Sequence, residues 1–257
     1  MKFIGVDFGW ISGASGLCCL ILQDNLLKIL DLTTVLETDK ILTLIDTWVS
    51  LDAPGLVAVD APTIINNQTG MRLPDKLTHK YFGRYHAGCY PANLNLAFSD
   101  RTVGFSQSLT ARNFVHAPTI IPKKPGRYQI EVFPHPATIN LFGLDKILKY
   151  KKGKISDRTL ELNKLRTYII QVLPQLEPAL DLSSLEKIPA IPQKVTGKQL
   201  KTIEDKLDSL ICAYVAAYWW YWGETQNIIL GDLDNGYIII PQLNERERPS
   251  SLDAHVN

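Results

Sequence analysis

Residues 2–32, KFIGVDFGWISGASGLCCLILQDNLLKILDL, decide the fold. Residues 2–7, KFIGVD, read as a short buried strand whose apolar run stops at Asp7, with Gly9, Gly13 and Gly16 breaking the chain beyond it. Residues 17–23, LCCLILQ, read as a second strand, Asp24-Asn25 as a turn, and residues 26–32 as a third strand. Three apolar runs separated by turn residues predict an antiparallel meander. The spacing of Leu36, Ile41, Leu44, Ile45, Trp48 and Val49 predicts a helix over 37–50. Pro54-Gly55 interrupts, and Leu56–Val59 reads as a strand ending at Asp60-Ala61-Pro62. Three strands, a helix and a fourth strand imply a mixed sheet, the fourth strand returning parallel to the first through a helical crossover.

Residues 63–127 differ in kind, being rich in Asn, Gly, Pro and basic residues with poor apolar periodicity, and read as an insertion of loops and short helices. Residues 128–133, YQIEVF, resume the sheet as a fifth core strand, and helices are predicted at about 136–149, 156–173 and 198–222. Asp234-Asn235-Gly236 between Ile228–Leu230 and Tyr237–Ile240 predicts a closing hairpin. The chain thus reads as one α/β domain over 1–243: a five-stranded mixed sheet flanked by helices, with a basic insertion and a C-terminal hairpin. The polar tail 244–257 is expected to be disordered.

A length of 257 residues with 46% hydrophobic and 21% charged residues is that of an ordinary globular chain. The formal charge of +1 excludes a uniformly basic nucleic-acid coat but not a local patch. The N-terminus lacks the pattern of a signal peptide, and Leu207–Trp222 carries Asp208 and is too short to span a bilayer, so no membrane association is expected. Cys18, Cys19, Cys89 and Cys212 form no CxxC pair, which argues against zinc and for a reducing, cytoplasmic setting.

Three carboxylates stand where a solvated charge does not belong. Asp7 and Asp60 each end an apolar strand, and a buried carboxylate is costly unless it is paired, hydrogen-bonded or bound to metal. Neighbouring strands would bring the two together, and a divalent cation relieves their repulsion. On the last long helix, Asp208 lies at the border of the apolar stripe, with Asp205 its i, i+3 neighbour. Such a set suits a pair of oxygen-ligated Mg²⁺ or Mn²⁺ ions of the kind that clamp an in-line phosphoryl displacement.

GVDFG on the first strand, VAVDAP on the fourth and EDKLDSLICAYVAAY on the late helix resemble the RNase H-like superfamily, and the acidic layout is closest to its Holliday-junction-resolvase branch. Together with Glu131–Pro134 and Gly236-Tyr237-Ile238, the motifs are nearer still to a family of uncharacterised predicted RNase H-like nucleases; Ser209 stands where alanine is usual. The resemblance covers nearly the whole chain, the basic insertion least. It implies a metal-dependent nuclease with Asp7, Asp60 and Asp208 as metal ligands and Asp205 and Glu131 as auxiliary catalytic residues.

The substrate expected is nucleic acid. Residues 71–127 hold nine Lys/Arg against two acids, a local balance of +7 that leaves −6 elsewhere. Arg72, Lys76, Lys80 and Arg84 recur every fourth residue, as on one helix face; Tyr81, Tyr85 and His86 lie among them, and Lys123, Lys124 and Arg127 follow. A cationic flap rooted just after Asp60 would orient a polyanion. His79, His86 and Cys89 match no zinc spacing. His135 is a candidate for phosphate contact or proton transfer, and Tyr218–Trp222 for core or a homodimer contact. Two other function classes compete. Actin-like ATPases and sugar kinases share the sheet order, but this chain lacks their second fold copy and second glycine-rich loop. A non-catalytic module would keep the fold and use only the basic flap.

Overall fold

The computed structural model describes residues 1–243. The tail 244–257, expected to be disordered, lies outside the described residues. β1 (Lys2–Asp7), β2 (Ser15–Gln23) and β3 (Leu26–Val35) form the antiparallel meander, and α1 (Thr38–Trp48) crosses over to β4 (Gly55–Val59). The inserted segment contributes α2 (Leu73–Phe82), α3 (Ser99–Thr110) and the two-residue β5 (Val115–His116). There follow β6 (Arg127–Glu131), α4 (Pro134–Phe142), α5 (Ile155–Val172), the two-residue β7 (Ala179–Leu180), α6 (Gly197–Trp222) and the hairpin of β8 (Asn227–Asp232) and β9 (Gly236–Pro241).

The sheet runs β5-β6-β4-β1-β2-β3-β7. Its five central strands are the five expected, and the sixth and seventh are short pieces on the two edges. β1, β4 and β6 are mutually parallel, with Val6 beside Val59 and Val59 beside Glu131. Their C-terminal ends therefore share one edge, where Asp7, Asp60 and Glu131 lie.

Side chains alternate between faces along each strand. Phe3, Leu56, Ala58 and Ile130 pack in one core with α4, α5 and α6, whereas Ile4, Val6, Val57 and Val59 pack in a second core with α1 and α3. By the same alternation Asp7 and Asp60 belong to the α6 face. α6 begins with a capping box: Thr196 Oγ1 accepts from Gln199 N, and Gln199 Oε1 accepts from Thr196 N. It then crosses the sheet at very close range. A Cβ on Gly5 would stand 2.0 Å from the carbonyl oxygen of Ser209, and one on Gly16 would stand 1.8 Å from that of Asp205. Glycine at these positions lets helix backbone rest on strand backbone.

One predicted helix ends early. The helix predicted at about 136–149 corresponds to α4. The structure stops it at Phe142, where Gly143 takes a left-handed conformation (φ 64°) and its N–H bonds the carbonyl of Ile139. Residues 144–154 form instead an irregular strap, held down by buried Leu148 and Tyr150. In the run Tyr218–Trp222, Tyr218 and Trp219 are core residues, and Trp219 Nε1 donates to the carbonyl of Ala117. No helix among the described residues is long and apolar enough to cross a membrane.

The packing at Gly5 gives the first prediction. Gly5→Ala should cost about 3 kcal/mol or more of stability in urea unfolding, since strand and helix backbones must part. A loss below about 0.5 kcal/mol, the range of an ordinary surface change, would contradict the close approach.

Candidate active site

Lys151 pairs with Asp208, and its charge acts on Asp7 and Asp60 as well. Asp208 is fully buried on α6, Asp7 nearly so at the end of β1, and Asp60 is half-buried one residue beyond β4, its N–H bonded to the carbonyl of Val6. Lys151, on the strap, places Nζ 2.8 Å from Asp208 Oδ2. The neighbouring Tyr150 donates its hydroxyl to Asp208 Oδ1 at 2.8 Å.

The electrostatics follow from burial and from the neighbouring charges. Burial, reinforced by Asp208, Asp60 and Asp205 and opposed by Lys151, holds the Asp7 carboxyl well above the usual carboxylate range. Asp60 is pushed up to about 7, mainly by burial, with Lys151 pulling it down and Asp208 and Glu131 pushing it up. Burial alone would lower Lys151; Asp208, Asp7 and Asp60 overcome that and raise it well above an ordinary lysine. His135 is lowered to about 4 by burial, then by Lys151. Its ring lies 5.7 Å from that of Tyr150, and its buried Nδ1 has no hydrogen-bond partner among the described residues.

Asp205 lies next door and is already engaged. It forms an ion pair with Lys201, which also bonds Glu204 Oε1 at 2.9 Å, while Arg158 reaches Glu204 Oε2 at 3.4 Å. An open cleft of about 340 Å³, lined by Asp7, Asp205, Lys201 and the β1–β2 loop, gives access to this edge of the sheet. A larger cavity of about 400 Å³ between α2, α4 and the hairpin contains none of the site's carboxylates.

Glu131 is not part of the aspartate group. It alternates with Ile130 and Val132, so it points away from the α6 core. There Arg72 grips it bidentately, Nη1 to Oε2 at 2.9 Å and Nη2 to Oε1 at 2.7 Å, and Thr63 N donates to Oε2 at 2.8 Å. The same guanidinium bonds Asp75 Oδ1 at 2.8 Å. This buried triad ties the start of α2 to the end of β6. Glu131, expected to assist catalysis, and Arg72, expected to contact substrate, thus hold each other in a buried strut and line a small pocket together with Asp60.

The rest of the expected cationic flap is dispersed. Lys76 and Lys80 are exposed on α2, and Arg84 is exposed beyond its end, lying over the Tyr85 ring. Lys123 lies over Tyr221, with its N–H on the carbonyl of Trp220. The carbonyl of Lys124 receives Trp220 Nε1. Arg127 bonds the carbonyls of Ser50, Ala53 and Arg112. Since Arg127 begins β6 beside Gly55, these last three occupy the end of the sheet opposite the aspartates. His79 bonds the carbonyl of Cys89.

Sequence reasoning missed Tyr150 and Lys151. The signal was present in KYKKGK, residues 149–154, but it lay inside a stretch assigned partly to a helix.

Among the described residues, no three His, Cys, Asp or Glu side chains stand close enough to hold a metal ion. The donor chemistry nevertheless fits a hard divalent cation. Asp7, Asp60, Asp208, Asp205 and Glu204 together face Lys151, Lys201 and Arg158, a surplus of two negative charges when all are ionised. Asp205 and Glu204 pair directly with Lys201 and Arg158, whereas Asp7 and Asp60 have no direct ion pair among the described residues. The surplus is where a cation is needed.

Two measurements check this electrostatic arrangement. Arg72→Met leaves Glu131 and Asp75 buried without a counter-ion and should cost about 3–5 kcal/mol in chemical unfolding; a neutral outcome would contradict the strut. For Asp60, the folded state keeps its proton to about pH 7 whereas the unfolded chain releases it near pH 4. Its contribution is therefore greatest below about pH 4 and is lost as pH rises through 7. In EDTA, the stability of Asp60→Asn relative to wild type should climb between pH 4 and 7, by up to about 1.4 kcal/mol per pH unit, and then level off. A difference independent of pH would refute the raised Asp60.

No curated protein and no solved structure matches the chain. A family model described as "Protein of unknown function (DUF429)" matches residues 5–233, which takes in β1 through the turn of the hairpin and so includes Asp7, Asp60, Lys151 and Asp208. The chain belongs to the DUF429 family.

Proposed function

We propose that the chain is an RNase H-like, divalent-metal-dependent nuclease that hydrolyses phosphodiester bonds in nucleic acid. One observation carries the reading: Asp7 and Asp60 end adjacent parallel strands on the same face, and α6 delivers Asp208 to that face with a surplus of negative charge. The order of the five central strands supports the RNase H-like assignment.

Asp7, Asp60 and Asp208 would hold Mg²⁺ or Mn²⁺. The chemistry such a cation supplies when bound is polarisation of the phosphate and acidification of water. The surplus of two charges matches one divalent ion, and a second would draw on Asp205 after its release from Lys201. For the aspartates to converge on metal, Lys151 must give up Asp208 Oδ2, while the Tyr150 hydroxyl keeps the opposite oxygen in place. His135, neutral at physiological pH, lies one ring beyond Tyr150 and packs the floor of the site. All four cysteines are free, which agrees with a cytoplasmic setting.

The test is cleavage of labelled single- and double-stranded DNA, RNA, RNA–DNA hybrid and a four-way junction with Mg²⁺ or Mn²⁺. Cleavage of at least one substrate should vanish in EDTA and fall at least about 100-fold in Asp7→Asn and Asp208→Asn. No cleavage by wild type, or cleavage indifferent to EDTA and both substitutions, would overturn the proposal.

A further inference from the structure

The strap between α4 and α5 carries Lys146, Lys149, Lys151, Lys152 and Lys154, and residues 146–156 contain no acid. Its conformation sorts these residues. Leu148 and Tyr150 are buried, Lys151 is turned onto Asp208, and Lys146, Lys149, Lys152 and Lys154 are exposed. The strap is also held in position: Tyr150 bonds Asp208, Arg158 Nε donates to the carbonyl of Tyr150 at 2.9 Å, and Lys149 N donates to Glu161 Oε2 at 3.2 Å. Gly153 takes φ 115°, open to glycine and rarely to other residues, and turns the chain into α5.

Several cations of the insertion are engaged by protein groups, although Lys76, Lys80 and Arg84 are exposed like the strap lysines. Arg72 and Arg127 are tied to protein acceptors, Arg112 pairs with Asp46, and Arg101 donates to the carbonyl of Gly9. The side-chain ammonium groups of Lys149, Lys152 and Lys154 have no ion-pair partner among the described residues. They also flank Lys151, which pairs with Asp208.

We propose that this lysine strap is the surface that receives the phosphodiester backbone, with Lys149, Lys152 and Lys154 on the phosphates and Lys151 leading the backbone to the aspartates. The proposal takes its substrate class from the nuclease reading and assigns that substrate a binding site. Phosphate contacts of this kind position a strand without reading its sequence, and they release counterions on binding.

The experiment is fluorescence anisotropy with labelled single- and double-stranded DNA and RNA 20-mers, in EDTA, over a range of salt. Wild type is compared with a triple variant, Lys149→Gln with Lys152→Gln and Lys154→Gln, and with a control, Lys76→Gln with Lys80→Gln and Arg84→Gln. All six positions are exposed, and thermal unfolding checks that each variant folds. The strap variant should bind at least about tenfold more weakly, and the slope of log affinity against log salt should shrink by about 2–3, while the control stays near wild type. An unchanged strap variant, a loss confined to the control, or no binding by folded wild type would overturn the proposal. Because binding is read without metal, its failure is separable from that of the nuclease reading, which falls only if wild type cleaves nothing with Mg²⁺ or Mn²⁺.

Discussion

The site depends on backbone lying against backbone. Where α6 crosses β1 and β2, Gly5 and Gly16 leave no side chain between helix and sheet. That contact sets the height at which Asp205 and Asp208 stand beside Asp7. A residue with a Cβ at either position would lift the helix and the two acids with it. The remainder of the α6 face is filled with Leu, Ile, Ala, Tyr and Trp side chains, so the helix is held as a rigid shelf. Positions on such elements keep catalytic geometry better than positions on loops.

Two acidic groups lie at one edge of the sheet, and their charge balance separates them. Glu131 and Asp75 share a guanidinium that meets each of them directly, with backbone N–H groups from Thr63 and Ala92 completing the set. Such a network stiffens the junction between insertion and sheet. Asp7, Asp60 and Asp208 have one direct ion pair among the described residues, Lys151 with Asp208, while Lys201 acts on Asp7 and Asp60 without pairing with either. Burial above all, with the neighbouring carboxylates adding to it, raises Asp7 and Asp60, so that this group holds its protons more readily than solvated carboxylates do.

Much of this was legible in the chain itself. Short apolar runs ending in Asp marked β1 and β4, and the stripe of α6 put Asp208 at its border. The face of Glu131 was readable too, since Ile130 and Val132 flank it, but strand-end position was weighed without the alternation. Arg72 was misplaced for a different reason. Four-residue spacing puts residues on one helix face but does not say which of them precedes the helix, and Arg72 is the N-cap position. Lys151 fell in the short gap between the helices predicted at about 136–149 and 156–173, and no chemistry was assigned to that gap. Which lysine of KYKKGK turns inward is decided by tertiary contacts of Tyr150 and Leu148, and local pattern carries no record of those.

We propose that Asp7, Asp60 and Asp208 form a cation site, with Lys151 now paired to Asp208. The most direct measurement is a crystal structure of the protein soaked in Mn²⁺, with data collected for the anomalous signal of manganese. The account predicts an anomalous peak bounded by the carboxylates of Asp7, Asp60 and Asp208, with the Lys151 ammonium moved off Asp208. A map with no manganese at these residues, and Lys151 still paired to Asp208 at saturating metal, would contradict it.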